Sequence, residues 1–468
     1  MFKHSVLTAA MAAAFCTAAY PAYAADAQEL AQIRAEISQM KAAYEARIQA
    51  LEARLQGAQS AATPVTVATP VATTAPAASS VAAATPTAFG ARAGSPLTPA
   101  ISLILGGTYS NLSQDPAQYR LQGFMPGGEG GPGARSFNLS ESELTLSANI
   151  DSRFGGKLTF GLGDDHGAEV EEAYFETLGL SNGLKLRGGR FLSSIGYLNN
   201  RHAHTWDFVD APLAYQAFLG GQYKTDGVTA RWLAPTDRYL ELGVEAGNGG
   251  AFPGNDRNKN GMGSAAVFAH LGDDIGRNAS WRTGVSYLHT RAQERSFDDL
   301  NRLGEPVTQA FSGTSKTWIV DGVYKWAPDG NATRRSLILQ GEYFRREENG
   351  TLAATTDSGS YASRQSGWYA QGVFKFAPAW RIGLRHDRLN SGNPSIGLVD
   401  AGTLTREDFP LLSSYNARRD SVMIDYSPSE FSRLRLQFAR DRSRPEATDN
   451  QIFLQYIMSL GAHGAHAF

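Results

Sequence analysis

Two imidazoles two positions apart, His202 and His204, stand in a polar stretch that also carries Arg201, Asp207 and Asp210. In an extended segment that spacing puts both rings on one side. With Asp207, or with Asp164, Asp165 and His166 upstream, they could hold a divalent metal ion through nitrogen and oxygen. They also read as ordinary residues of a polar loop. A second group is set out by alternation: Lys185, Arg187, Arg231, Arg381, Arg385, Arg433 and Arg435 fall on the polar parity of their runs, as do Glu172 and Glu176. Charges at every second position of an extended run line up on one face, the arrangement that walls an aqueous passage. The later arginines would form a basic stripe favouring anions, or would simply solvate a wet wall. Asp256, Asn258, Asn260 and Gly261 copy the opening of a calcium loop, but Val267 stands where the closing Glu belongs, and a generic polar loop is the plainer reading. His270 and His289 come without a nucleophile motif such as G-x-S-x-G, so no enzyme is expected and no cofactor is implied.

The elements that must position these residues follow from a two-residue period. At 141–150, Leu144, Leu146, Ala148 and Ile150 alternate with polar residues; at 431–440, Leu434, Leu436 and Phe438 alternate with Arg433, Arg435 and Gln437. Runs at 183–191, 238–246 and 367–376 behave the same way, and each is a strand with one apolar and one polar face. Their connections fall into two classes. Short turns are read at 151–153, 181–183, 235–237, 272–274, 328–330, 378–379 and 428–430; long loops at 113–137, 164–167, 193–222, 248–260, 292–314, 349–362, 391–415 and 443–448. Seven turns and eight loops in alternation join sixteen strands. Short turns on one side, long loops on the other and an apolar outer band are what a closed antiparallel barrel in lipid requires, because closure satisfies every backbone N–H and C=O. Ile452, Leu454, Tyr456, Met458 and Leu460 repeat the pattern in the last strand, and Phe468 ends the chain in phase with them.

Ahead of the barrel the composition changes twice. Residues 1–24 carry Lys3, an apolar run and the small-residue pattern Ala22-Tyr23-Ala24, an export signal too short to span a bilayer, which takes about 20 apolar residues. Cys16, the single cysteine, lies inside it, so neither disulfides nor Cys-ligated metal sites are expected in the exported chain. Residues 25–57 form a helix in which Leu30, Ile37, Tyr44 and Leu51 recur every seven positions, a short coiled coil or a solvated amphipathic helix. Residues 58–99, rich in Ala, Thr and Pro, cannot bury a core and read as a semi-rigid linker. Residues 100–468 are the barrel. With 43 basic and 45 acidic residues, no general attraction to nucleic acid is suggested.

Sixteen strands, a long third loop, the element Glu172-Ala173-Tyr174 and the Gly189-Arg190-Phe191 entry to that loop resemble the outer-membrane porin superfamily, and within it the phosphate-selective porins O and P, whose members often carry an N-terminal coiled coil. The resemblance implies a trimeric barrel in outer-membrane lipid, with its N-terminal segment in the periplasm, inserted by the barrel-assembly machinery through the terminal Phe468. Small hydrophilic solutes would diffuse through it past the inward-folded third loop, with a mild preference for anions. An uptake channel for a metal ion or metal chelate, of zinc or siderophore type, is the alternative that His202 and His204 suggest. The tail, with His463 and His466, also resembles that of predicted outer-membrane proteins linked to zinc-regulated uptake.

Overall fold

The computed structural model describes residues 99–127, 130–163, 167–255 and 258–461. The expected signal, heptad helix and linker, the tail with His463, His466 and Phe468, the stretch 164–166 and Asp256 lie outside the described residues.

Sixteen antiparallel strands close on themselves. They are β1 (Ala100–Leu112), β2 (Ser142–Asn149), β3 (Phe154–Gly163), β4 (Gly167–Thr177), β5 (Leu184–Leu192), β6 (Lys224–Leu233), β7 (Tyr239–Gly247) and β8 (Ser264–Ile275). The second half comprises β9 (Ala279–Leu300), β10 (Pro306–Trp326), β11 (Ser336–Ala354), β12 (Asp357–Ala377), β13 (Trp380–Asn390), β14 (Arg418–Ser429), β15 (Ser432–Arg442) and β16 (Asp449–Gly461). Two short strand pieces, Ser136–Leu139 and Ser395–Ile396, belong to loops and pair on β1 and β12. The seam is antiparallel: β1 pairs with β16, Leu105 opposite Met458, and on its other side with β2, Leu103 opposite Leu144.

The expected faces are found. Leu434 and Leu436 are 50% and 48% exposed, whereas Arg435 and Gln437 between and beyond them are 1% and 0% exposed. On β16, Ile452, Leu454, Tyr456, Met458 and Leu460 point out while Gln451 and Gln455 are buried. Apolar side chains outside and polar ones inside invert the pattern of a water-soluble protein, as lipid contact demands. Aromatic pairs such as Trp380 with Tyr426, ring centroids 4.7 Å apart, sit at the turn end, where amphipathic rings meet the headgroup layer.

Three expectations about connections are corrected. The turn read at 272–274 lies within β8; the chain bends instead at 276–278, where Gly276 adopts φ +61°. The loops read at 292–314 and 349–362 are mostly strand, closing only at 301–305 and 355–356. Their polar residues still alternate with inward apolar ones: Phe297, Phe311, Leu352 and Tyr361 form a buried cluster with Ile396, Leu398, Phe409 and Leu411 of the loop at 391–417. That cluster stabilises pairing beyond the bilayer, so β9 to β12 run 22, 21, 19 and 21 residues, against about 9–11 needed to cross the hydrocarbon.

Replacing Leu436 by Arg puts a charge on the lipid face and should destabilise the barrel by about 2–4 kcal/mol. Urea unfolding in lipid vesicles reads this directly; a loss under about 1 kcal/mol would place the side chain away from the bilayer's centre.

Candidate functional site

The connection 193–223, between β5 and β6, turns into the barrel and is bonded to walls on opposite sides. Asn199 ties its two ends together: Nδ2 donates to the carbonyls of Ser193 (2.8 Å) and Tyr223 (2.9 Å), and Oδ1 accepts from Tyr223 N–H (2.7 Å). Near the entry Glu245 of β7 accepts from Ser193 Oγ (2.5 Å) and Ser194 N–H (3.0 Å). The chain then passes beneath Glu342 of β11, which accepts from the N–H groups of Tyr197 (3.0 Å) and Leu198 (3.1 Å) and from the hydroxyls of Tyr215 (2.9 Å) and Tyr369 (2.6 Å). Gly196 permits this approach: its φ is +69°, and a Cβ there would lie 2.4 Å from Glu342 Oε2. Burial, followed by the adjacent Glu342 carboxylate, pushes the Tyr215 hydroxyl well above the usual tyrosine range. A short helix, α1 (Leu213–Leu219), packs against β11 to β13 with Leu213, Ala214 and Phe218, all buried.

Two charged attachments hold the middle of the loop. On one wall, His204 Nδ1 lies 2.7 Å from Glu143 Oε1, and His202 lies between Glu143 (3.2 Å), Glu171 (3.5 Å) and Glu172 (2.9 Å). Lys157 sits 2.5 Å from Glu172. Burial alone would lower the His202 pKa, but Glu143 and Glu171 outweigh it and hold the imidazole well above its ordinary value. Beside it, burial and then Glu143 and Glu171 push the Glu141 carboxyl well above the usual carboxylate range. On the other wall, Asp207 pairs with Arg381 (2.8 Å), and Asp210 with Arg385 (2.8 Å) and Arg419 (2.6 Å). Arg435 donates to the Trp206 carbonyl (2.7 Å), and Arg433 to that of His204.

The residues singled out by alternation all lie on the inner face, though engaged differently from expectation. Lys185, Arg187 and Arg231 converge on Glu176, at 3.3, 2.8 and 3.2 Å. Arg381 and Arg385 are occupied by the loop's own aspartates and, with Arg435, by Asp425 and Asp387, so the expected basic stripe is largely neutralised by carboxylates. Asp207 faces away from the histidines, toward Arg381. Arg201 instead lies over the Tyr197 ring at 4.4 Å, with Arg282 5.1 Å from the same ring.

Several partners were not anticipated. Glu171 reaches the inner face only because β4 carries a bulge: Thr159 of β3 pairs with Glu172 but the next residue, Phe160, pairs with Val170. One extra residue shifts the parity, so Glu171 and Glu172 both point inward, and strict alternation would have sent Glu171 to the lipid. Glu342 and Arg419 are inward by simple parity and were open to recognition; their attachment to the loop, more than 100 residues distant, was not.

Asp210 allows the strength of one attachment to be gauged. Burial would raise its pKa, yet Arg385 and Arg419 bring it from 3.8 down to about 2. A depressed acid contributes stability that is complete above the unfolded-state value and disappears as pH falls through the folded one, here about 2 kcal/mol between roughly pH 4 and pH 2. The stability difference between the parent and Asp210→Asn should therefore shrink by about that amount from pH 5 to pH 2 in denaturant titrations. A difference constant over that range would mean that the carboxylate is not held by the arginines.

No family model matches the chain. An uncharacterized protein of Aquifex aeolicus (strain VF5) is 32% identical over 356 residues, covering 71% of this chain and 70% of that one. Among solved structures, the loop L8 deletion mutant of OmpT, an outer membrane protein of Vibrio cholerae, superposes with a TM-score of 0.50 at 10% identity, covering 78% of this chain and 99% of that one. An anion-selective porin from Comamonas acidovorans gives 0.47 at 10% identity, with 78% and 99% covered. The outer membrane channel DcaP of Acinetobacter baumannii gives 0.46 at 12%, with 77% and 97% covered. At these identities the likeness is one of fold alone, that of an outer-membrane β-barrel.

Proposed function

The chain belongs to one family with the uncharacterized Aquifex aeolicus protein and has the fold of an outer-membrane porin; from that premise we propose that it is a diffusion channel for small hydrophilic solutes, narrowed by its third loop and mildly anion-preferring. The observation that carries this reading is the course of residues 193–223, bonded through Glu342, Glu143 and the Arg381–Asp207 pair to separate parts of the inner wall. A wet barrel crossed by such a segment is a channel with a constriction.

The anion preference rests on a smaller set than the inner arginines as a whole. Arg201 and Lys325 form no ion pair among the described residues, and Lys325 lies within electrostatic reach of both Arg201 and Arg282. Arg201 and Arg282 over the Tyr197 ring, with Lys325 near both and Asp207 at its edge, are the surface a solute would meet, whereas Arg385, 1% exposed at its side chain, holds the loop. The channel belongs in the outer membrane, as a homotrimer placed there by the barrel-assembly machinery, with residues 25–99 on the periplasmic side.

Planar-bilayer recordings in asymmetric salt test this. The parent should conduct ohmically with a reversal potential on the anion side. Replacing Arg201 and Lys325 together by Ala should lower the anion-to-cation permeability ratio by about half or more. An unchanged ratio would remove these residues from the permeation path, and a folded barrel with no conductance would overturn the channel reading.

A further inference from the structure

His202 and three carboxylates meet where the loop touches β2 and β4. One ligand atom from each of Glu141, Glu143, Glu171 and His202 lies within 4.8 Å of the others. Acidic neighbours alone would say little, but the imidazole is presented in a particular way. Its Nε2 is 2.9 Å from Glu172 Oε2, and that oxygen is held in turn by Lys157 at 2.5 Å. A histidine that donates one ring N–H to a carboxylate has its tautomer set and presents the other nitrogen as a lone pair, the usual support for a metal-bound imidazole. Here the other nitrogen, Nδ1, faces the carboxylates: Glu143 Oε2 at 3.2 Å and Glu171 Oε2 at 3.5 Å.

Those separations discriminate between two accounts. A charge-assisted hydrogen bond from imidazolium to carboxylate would close to about 2.7–2.9 Å, as His204 does on Glu143 at 2.7 Å. Ligands about 2.0–2.1 Å from a tetrahedral ion stand roughly 3.3 Å from one another, which the two Nδ1 distances bracket. Charge points the same way. Even with His202 and the Glu141 carboxyl protonated, Glu143 and Glu171 leave an excess negative charge where Glu143 is 3% and His202 14% exposed, a costly arrangement that a doubly charged ion relieves.

From this geometry we propose that Glu141, Glu143, Glu171 and His202 bind one divalent transition ion of the zinc type, which clasps the constriction loop to the wall. Glu172 is the positioning residue that fixes His202, and His204 fixes the second oxygen of Glu143. Imidazole with carboxylates suits zinc and its neighbours better than calcium or magnesium, which favour all-oxygen sites. Gly161 of β3 leaves room for the Glu171 carboxylate, since a Cβ there would fall 2.5 Å from Glu171 Oε1. The site rests on the loop's position and not on what the channel passes, so a chain that conducts nothing would leave it standing.

The test is chelator competition with zinc chloride on the full-length barrel folded in detergent, without a histidine tag. His463→Ala and His466→Ala are carried in every sample so that the tail adds no binding. Folding is checked by heat-modifiable electrophoretic mobility. One zinc per chain is expected, with affinity reduced about tenfold or more by Glu172→Gln and by Glu171→Gln, reduced likewise by Gly161→Ala, abolished by His202→Gln, and unchanged by Glu347→Gln on an exposed pair. Should His202→Gln not fold, Glu171→Gln and Gly161→Ala, which alter one partly exposed ligand, decide the matter. The proposal is overturned if zinc does not saturate at one equivalent, if the folded His202→Gln variant or the Glu171→Gln and Gly161→Ala pair bind as the parent does, or if calcium displaces zinc at comparable concentration.

Discussion

Lipid offers no hydrogen bonds, and that constraint governs the molecule. A sheet can meet it only by closing, and closing gives every strand a second face that water and polar side chains must occupy. Here the inner face is so heavily charged that it needs internal partners. Glu176 gathers Lys185, Arg187 and Arg231, while Asp425 and Asp387 sit among the arginines of β13 to β15. What the wall does not balance within itself, the third loop balances for it, Asp210 against Arg385 and Arg419, and His202 and His204 against Glu143. The loop's course follows from that charge distribution, acidic at β2 and β4 and basic at β13 to β15.

Alternation made the wall legible. It needs only the sign of each residue's hydropathy and a period of two, so the faces of β15 and β16, the strand number and the inward direction of Arg381, Arg385, Arg433 and Arg435 could all be read before any coordinates. It failed where the backbone breaks the period. The bulge that turns Glu171 inward leaves no mark among ordinary residues such as Glu169 to Glu172, and without it the acidic group around His202 is one ligand short. It failed again at β9 to β12, because polar residues outside the bilayer look alike in a strand and in a loop. There only Phe297, Phe311, Leu352 and Tyr361 carried a signal, and their partners lie in another loop.

Pairing was the least legible property. Parity sends the arginines of the later strands inward, yet an arginine's charge says nothing about whether it faces solute or a carboxylate. Asp207 and Asp210 belong to a loop whose path is set by Asn199 and Gly196 within it and by Glu342 more than 100 residues away, and a path with so distant a determinant is not a local property of the chain. The residues that do the anchoring are therefore those for which sequence spacing is least informative, while the side chains of Arg201 and Lys325 form no ion pair among the described residues.

The four elongated strands have a geometric outcome of their own. With β9 to β12 roughly twice the length of the others, the rim of the barrel is canted, tall over a quarter of its circumference and low elsewhere. The tall quarter keeps its own apolar interior, shared with Leu398 and Phe409 from the neighbouring loop. It stands as a parapet to which the loop following β1 crosses, Met125 lying in the same cluster and within reach of Arg295.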